Sequence, residues 1–215
     1  SIRYDGETAL FDASDNPVVA STEILFTGGT IGTEITTADP KKETIETTAS
    51  RSIVQYTFGS IYGGGMGQES PDATNNHGGD VKDSTYISMS GTSAKVRASV
   101  YGGGEVAVVD GNTNVTISGG EIGRNEVKAA SDADPGYVLY GGATMGNVYG
   151  GGKGLLEHTL TGLVKGNTNV TINAGTDGQP FIYHNVYGGG ALASVGTFSL
   201  SNGTDAPSYI PIAGV

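Results

Sequence analysis

Four tyrosines occupy the same place in a repeated phrase, and they are the residues of this chain best suited to recognition. Each follows an aliphatic residue and precedes three glycines, and the four are Tyr62, Tyr101, Tyr149 and Tyr187. An exposed aromatic ring can stack on a sugar or enter a protein groove, because it offers apolar area and a polar hydroxyl. A row of such rings can also serve only as cover for a sheet. They are therefore our predicted binding residues for a glycan or a protein surface, although the pattern itself favours structural cover over binding.

Aspartate clusters and histidines are the candidates for metal binding. The aspartates fall into two loops, Asp72, Asp80 and Asp83 in one and Asp132 and Asp134 in the other. Neither loop has the nonapeptide spacing of calcium-binding solenoids or the EF-hand pattern. The three histidines lack zinc-site spacing, and the chain has no cysteine. We predict no metal site, and we expect His184 to be a hydrogen-bonded residue of an inner strand face.

Carboxylates near the glycine runs are the candidates for acid–base catalysis. A glycosidase or lyase needs two carboxylates flanking one bond, and Glu105, Asp110 and Glu121 lie near a glycine corner. No convincing partner residue accompanies them, and the chain lacks a nucleophile elbow and a phosphate-binding loop. The sequence therefore predicts a non-enzymatic protein without a cofactor, with a carbohydrate-active enzyme as the alternative.

A second phrase supplies strands that must position these side chains. Its clearest copies are residues 112–120 and 167–175, with further copies at 21–29 and 84–92 and a frayed copy at 197–203. Apolar residues alternate with polar ones in each copy, and this period of two is typical of half-buried strands. We expect the apolar residues to point inward in register, among them Val115, Ile117, Val170 and Ile172.

The tyrosine phrase also predicts strands, and glycine corners after them. Adjacent residues of a strand point to opposite faces, so we place the aliphatic residues inward and the tyrosines on the outside as a ladder. The tyrosines are spaced by 39, 48 and 38 residues, which predicts two coils per repeat, one for each phrase. Corner glycines such as Gly103 and Gly151 would have positive φ or a close backbone neighbour.

The repeats predict an all-β fold, a right-handed parallel β-helix with variable loops. Such self-similarity at a fixed order is the mark of a solenoid. We divide the chain into an N-terminal flank or cap (1–20), a solenoid domain (21–203) and a C-terminal flank (204–215). The variable loops are 33–52, 68–80 and 124–136, and insertions of this kind often form the binding face of a solenoid.

Composition narrows the classes of partner. The formal net charge is −11, from 22 acidic and 11 basic residues, and this disfavours nucleic acid, whose binding needs basic patches. No run of 18 apolar residues is present, so no transmembrane segment is predicted. The absence of cysteine fits an exported bacterial protein. No signal peptide is recognisable and the chain begins at Ser1, so we expect a mature or excised part of a longer protein.

The two phrases together carry a resemblance to a protein family. Asn-Thr-Asn-Val-Thr-Ile-Ser-Gly-Gly at 112–120 and Asn-Val-Tyr-Gly-Gly-Gly at 147–152 and 185–190 resemble repeats of large, glycine-rich, adhesin-like proteins exported by gut Bacteroidota and some Firmicutes. The resemblance implies a β-helical scaffold that is secreted or exposed on the bacterial cell surface and contacts host glycan, matrix or other cells. It assigns no catalytic residue. A structural filament built by self-association is a further alternative.

Overall fold

The computed structural model describes residues 21–32, 42–48, 51–56, 59–67, 78–123, 126–128, 137–139, 145–156, 160–176, 178–200 and 209–211. Within these ranges the regular structure is β-strand throughout, with no helix. Three of the sheets consist wholly of parallel strands. The all-β, parallel-strand class predicted from the sequence is therefore confirmed.

The chain passes through the three parallel sheets in turn, four times over. Sheet A contains β1 (Thr22–Phe26), β6 (Thr85–Met89), β9 (Thr113–Ile117) and β14 (Thr168–Ile172). Sheet B contains β2 (Gly29–Ile31), β7 (Ala94–Val96), β10 (Glu121–Ile122) and β15 (Phe181–Ile182). Sheet C contains β5 (Ile61–Tyr62), β8 (Val100–Tyr101), β13 (Val148–Tyr149) and β16 (Val186–Tyr187). Each passage is one coil, and the four stacked coils are compatible with a parallel β-helix.

Each repeat forms one coil, so the prediction of two coils per repeat is wrong. The second phrase supplies the sheet A strand of a coil, and the tyrosine phrase supplies the sheet C strand of the same coil. In sheet A, for example, Ile87 pairs with Ile24 on one side and with Val115 on the other. The repeat is long because three strands, their corners and an insertion all belong to a single turn of the chain.

The core lies between the sheets and is filled by the predicted aliphatic residues. Val115 is 1% exposed and Ile117 is fully buried, while Val170 is partly buried against the same cluster. Ile172 pairs in register with Ile117 but is 40% exposed. The inward register is confirmed, and burial decreases in the fourth coil because, among the described strands, that coil has a stacked neighbour on one side only.

A fourth side of each coil is closed by a column of valines that sequence reasoning missed. Single parallel bridges join Val81 to Val109, Val109 to Val164 and Val164 to Val195. The first three of these valines are buried and form a second apolar cluster, against which Val195 packs. The sequence contains a signal for this column. Each of the three buried valines lies four residues before the threonine that begins a sheet A strand.

The glycine triplets permit close packing of one coil on the next. Gly103 and Gly151 do not have positive φ, so that part of the prediction is wrong. A Cβ added to Gly103 would lie 2.7 Å from the amide nitrogen of Gly152 in the next coil, and one added to Gly151 would lie 2.7 Å from that of Gly190. The predicted close backbone approach is therefore confirmed. Positive φ occurs instead at the corner between sheets A and B, for instance at Gly120 (φ 83°).

Two of the variable loops leave the coils at the same corner, between sheets B and C. The first contains β3 (Lys42–Thr48), and β4 (Arg51–Tyr56) begins in it and runs past its predicted end at residue 52. The second contains β11 (Glu126–Lys128), and β12 (Tyr137–Leu139) follows directly after its predicted end at residue 136. These strands form a sheet of their own, in which β12 runs parallel to β4. Most of loop 68–80, the flank 1–20 and most of the flank 204–215 lie outside the described residues.

The frayed fifth copy does not join sheet A. Its strand β17 (Phe198–Leu200) pairs antiparallel with β18 (Tyr209–Pro211) in the C-terminal flank. This copy has Gly196 at the position where the other four copies have a threonine. It therefore lacks the side chain that, as described below, closes each coil.

The inward register predicts that a charge at the middle of sheet A will unfold the protein. Val115→Asp should cost about 3–5 kcal/mol, the scale of an uncompensated buried charge, because Val115 is 1% exposed. Val170→Asp, in the same column of the half-buried end coil, should cost clearly less because its carboxylate can reach water. Urea denaturation followed by circular dichroism measures both. Equal losses in the two variants would contradict the burial gradient.

Candidate functional site

The four tyrosines form one continuous stack, as the sequence predicts. They pair in register along sheet C, and successive ring centroids are 4.9 Å apart throughout. The planes of neighbouring rings differ by 11°, 5° and 9°. The distance between ring centroids follows from the spacing of parallel strands, about 4.8 Å. The sheet itself therefore sets the stacking distance.

The tyrosine ladder is not the open face that the sequence suggested. Tyr101 is 0% exposed and Tyr149 is 5% exposed, whereas Tyr187 is 41% exposed and Tyr62 is half-buried. The expectation that the ladder faces solvent is therefore wrong for its two middle members. Stacked rings cover one another's faces, so only the end members can offer a ring face to a ligand. Binding by Tyr62 and Tyr187 stays a prediction.

Burial raises the pKa of the Tyr62, Tyr101 and Tyr149 hydroxyls. For Tyr101 the second cause is the charge that ionised Tyr62 and Tyr149 would place beside it. Burial, with a smaller contribution from Tyr187, raises the pKa of Tyr149 to about 12. The Tyr101 hydroxyl is buried without a hydrogen-bond partner of normal geometry in the described part of the chain. Burial thus favours the neutral form of Tyr62, Tyr101 and Tyr149.

In each of the four coils a threonine hydroxyl bonds to the carbonyl of the glycine that follows the ladder tyrosine. Sequence reasoning did not single out this threonine. In the second coil the Thr85 hydroxyl donates to the Gly102 carbonyl at 2.6 Å, and in the third Thr113 donates to Gly150 at 2.5 Å. The end coils repeat the bond, Thr22 to the Gly63 carbonyl at 2.5 Å and Thr168 to the Gly188 carbonyl at 2.6 Å. The bond joins the start of sheet A to the end of sheet C within one coil. The available signal was a threonine at the same position of four copies.

The carboxylates considered for catalysis are paired with lysines of neighbouring coils. Glu105 accepts a hydrogen bond from Lys153 at 2.7 Å, and Glu121 lies 3.6 Å from the ammonium of Lys95. The Tyr62 hydroxyl also donates to Glu105, at 3.4 Å. These contacts tie one coil to the next at the outer surface.

Asp110 lies between two lysines, one from the coil before and one from the coil after. Its carboxylate oxygens are 3.3 Å from Lys82 and 2.7 Å from Lys165. Burial alone would raise the pKa of Asp110, but the hydrogen bonds and charges of Lys165 and Lys82 lower it. A carboxylate held ionised in this way is suited to an ion pair and poorly suited to donate a proton.

His184 is hydrogen-bonded, as expected, but it is exposed rather than buried. Its Nδ1 lies 2.7 Å from the side-chain oxygen of Asn147, which is fully buried. The same oxygen accepts the backbone N–H of Asn185 at 3.2 Å. The exposure of His184 follows from its position in the fourth coil.

The aspartates considered for calcium serve as acceptors within the fold where they are described. Asp80 accepts the Val108 backbone N–H at 2.8 Å, and Asp83 accepts the hydroxyls of Ser21 and Ser84, both at 3.1 Å. Asp72, Asp132 and Asp134 lie outside the described residues. Among the residues that are described, no three His, Cys, Asp or Glu side chains are grouped as a metal site would require.

The outer face of sheet A is an extended exposed surface that sequence reasoning did not propose as a site. Its two columns are Glu23, Tyr86, Asn114 and Asn169, and Leu25, Ser88, Thr116 and Thr171. Tyr86 is 47% exposed and Leu25 is 70% exposed. The Asn169 amide donates to the Asn114 side-chain oxygen at 3.2 Å, which fixes both amides in a row. The face combines an aromatic ring with ordered amides and hydroxyls.

Comparison with protein-family models gave no match, and neither curated proteins nor solved structures gave one. No apolar helix of membrane-spanning length occurs in the part of the chain that the structure describes.

The coil-closing bond predicts a specific loss of stability. Thr113→Val keeps the side-chain shape but leaves the buried Gly150 carbonyl without this donor, and it should cost about 1–3 kcal/mol. Thr116→Val on the outer face of the same strand is the matched control and should change stability by less than about 0.5 kcal/mol. Comparing the denaturant midpoints of the two variants measures how much stability the bond contributes. A Thr113→Val protein as stable as the control would show that the bond contributes nothing.

The buried tyrosines predict a loss of stability in alkali. Folding raises their pKa above the usual 10.0, to about 12 for Tyr149, so this stability is complete below pH 10. It should fall as the pH rises from about 10 through 12, because the unfolded chain releases these protons first. Tyr101→Phe should reduce the fall and cost little at pH 8, since its hydroxyl has no partner of normal geometry. Denaturant midpoints measured from pH 8 to 12 follow both effects.

Proposed function

We propose that this chain is a non-catalytic scaffold of adhesin type, secreted or displayed on a bacterial surface. The observation that carries the proposal is the outer face of sheet A, which continues in register over four coils. Each coil of a solenoid contacts only its neighbours, so such a face can be lengthened coil by coil. A long ordered surface of this kind suits contact with a host glycan, matrix or another cell.

The handedness of the coils and the role of the surface carboxylates are part of this proposal. We propose a right-handed β-helix, because connections between parallel strands of one sheet are right-handed in nearly all proteins. Ion pairs between coils support a scaffold role for the carboxylates, since Glu105, Asp110 and Glu121 each face a lysine of an adjacent coil. A carbohydrate-active enzyme would instead need two of these carboxylates at a single groove.

Glycan is the ligand class that the outer face of sheet A supports best. Sugar recognition combines an aromatic ring for the apolar ring face with amides and hydroxyls for the sugar hydroxyls. Tyr86 supplies the ring, and Asn114, Asn169 and Thr116 lie on neighbouring strands. Tyr62 and Tyr187, the more accessible members at the two ends of the tyrosine ladder, are two further predicted contacts on sheet C, each available only where no other coil covers it.

A glycan array, followed by binding to intact cells, tests the proposal. Tyr86→Ala should weaken binding by about 1–3 kcal/mol, the scale of a lost aromatic anchor. Tyr101→Phe is the control, because that residue is buried and should leave binding unchanged. Loss of binding in a Tyr62→Ala, Tyr187→Ala double variant, with Tyr86→Ala unaffected, would move the site to sheet C. Cleavage of a polysaccharide by the wild-type protein would contradict the scaffold proposal.

A further inference from the structure

Two glycines of the fourth coil, Gly188 and Gly189, have no neighbour in the structure that requires them to be glycine. In the first three coils, a Cβ on Gly63, Gly102 or Gly150 would collide with the carbonyl oxygen of the matching glycine in the next coil. At the matching positions of the fourth coil, Gly188 and Gly189, an added Cβ would meet nothing within 4 Å.

Backbone conformation does not explain these two glycines either. Neither Gly188 nor Gly189 has positive φ, so other residues could adopt their backbone angles. Glycine in an ordered segment costs stability relative to alanine, because it loses more conformational freedom on folding. Glycine at these two positions is explained if another coil lies against them, as a coil lies against Gly102 and Gly103.

The side chains of the fourth coil are uncovered in the same direction. Tyr187 is 41% exposed where Tyr149 is 5% exposed, and Val186 is 46% exposed where Val148 is fully buried. Ile172 in sheet A is exposed as well. The same residue types are therefore covered in the third coil and open in the fourth, which differ in having a coil stacked beyond them.

The backbone donors of the fourth coil complete the pattern. In the third coil the N–H groups of Val148, Gly150 and Gly151 donate to carbonyls of the fourth, at 2.9, 2.9 and 3.0 Å. The matching N–H groups of Val186, Gly188 and Gly189 have no backbone acceptor in the described part of the chain. Unpaired donors along a strand edge are a template for pairing with another strand.

We infer that this uncovered side of the fourth coil, the coil-4 face, binds the first coil of a second copy of this chain, head to tail. The first coil has the same residue types in the same order, so Tyr62 would stack on Tyr187 and Ile61 would pair with Val186. Tyr62 is half-buried and Ile61 is 4% exposed within one chain, so the contact requires the residues that cover Ile61 to move aside. The contact continues the coil-on-coil interface already present three times within the chain. On the outer columns Glu23 would meet Asn169, and Met66 would meet Ala191, so no like charges are opposed.

Such a contact joins different surfaces of identical molecules, so it generates a filament unless its rotation closes a ring. The inference is independent of ligand binding by the outer face of sheet A, because the coil-4 face is at the end of the stack and that face is on its side.

Sedimentation velocity over a range of concentrations tests the inference on the chain as it stands. Wild-type protein should form assemblies that grow with concentration. The double variant Gly188→Val, Gly189→Val should remain monomeric with an unchanged melting temperature, because in the monomer the new side chains enter open space. Gly103→Val is the matched control and should lower the melting temperature, since its neighbour Gly152 lies too close. Leu25→Asp, on the side of the stack, should leave assembly intact.

Hydrogen exchange gives a second readout that does not depend on how the valine variants fold. The amides of Val186, Gly188 and Gly189 should exchange fast in the dilute monomer and at least tenfold more slowly in the assembly. A protein that stays monomeric at every concentration overturns the inference, as does assembly that the double variant does not reduce. Slow exchange of the three amides in the monomer would also overturn it, because it would show that the chain's own residues cover the coil-4 face.

Discussion

The fixed distance between stacked parallel strands is the constraint on which the rest of this structure depends. Strands of a parallel sheet lie about 4.8 Å apart, and the ladder tyrosines repeat that distance with centroids 4.9 Å apart. Residues of the three parallel sheets therefore sit directly on their counterparts in the next coil. Glycines are needed where backbone meets backbone, apolar residues where columns cross the core, and opposite charges where columns face water.

The outward columns show how the same constraint is met at the surface. Lys82, Asp110 and Lys165 alternate in sign along one column, since like charges in direct register would repel. Asn114 and Asn169 meet the constraint with one side-chain hydrogen bond between identical residues. The net charge of −11 thus coexists with local pairing, because lysines occupy positions where an acidic column would otherwise form.

The sequence pattern predicted correctly which side chains of a strand point inward. It did not predict features that depend on contacts with other coils. Alternation placed Val115 and Ile117 inward, and repetition placed the four tyrosines in one ladder. The pattern within a strand cannot show how deeply Tyr101 is buried, since that depends on rings from other coils. It also could not separate positive φ from close approach at Gly103, because both favour glycine. Thr113 could be recognised as a residue repeated in four copies. Its hydrogen-bond acceptor lies 37 residues away, so the repeat alone did not show that Thr113 closes the coil.

The side sheet formed by the two insertions connects coils that do not touch. Ser52 in β4 pairs with Tyr137 in β12, 85 residues later, although the first and third coils are separated by the second. A stack of coils can grow by nearest-neighbour addition during synthesis, but this pairing must wait until the third coil has left the ribosome. It adds a long-range step to an otherwise local folding process. Once formed, it links the first and third coils directly, so we expect the first three coils to unfold as one cooperative unit.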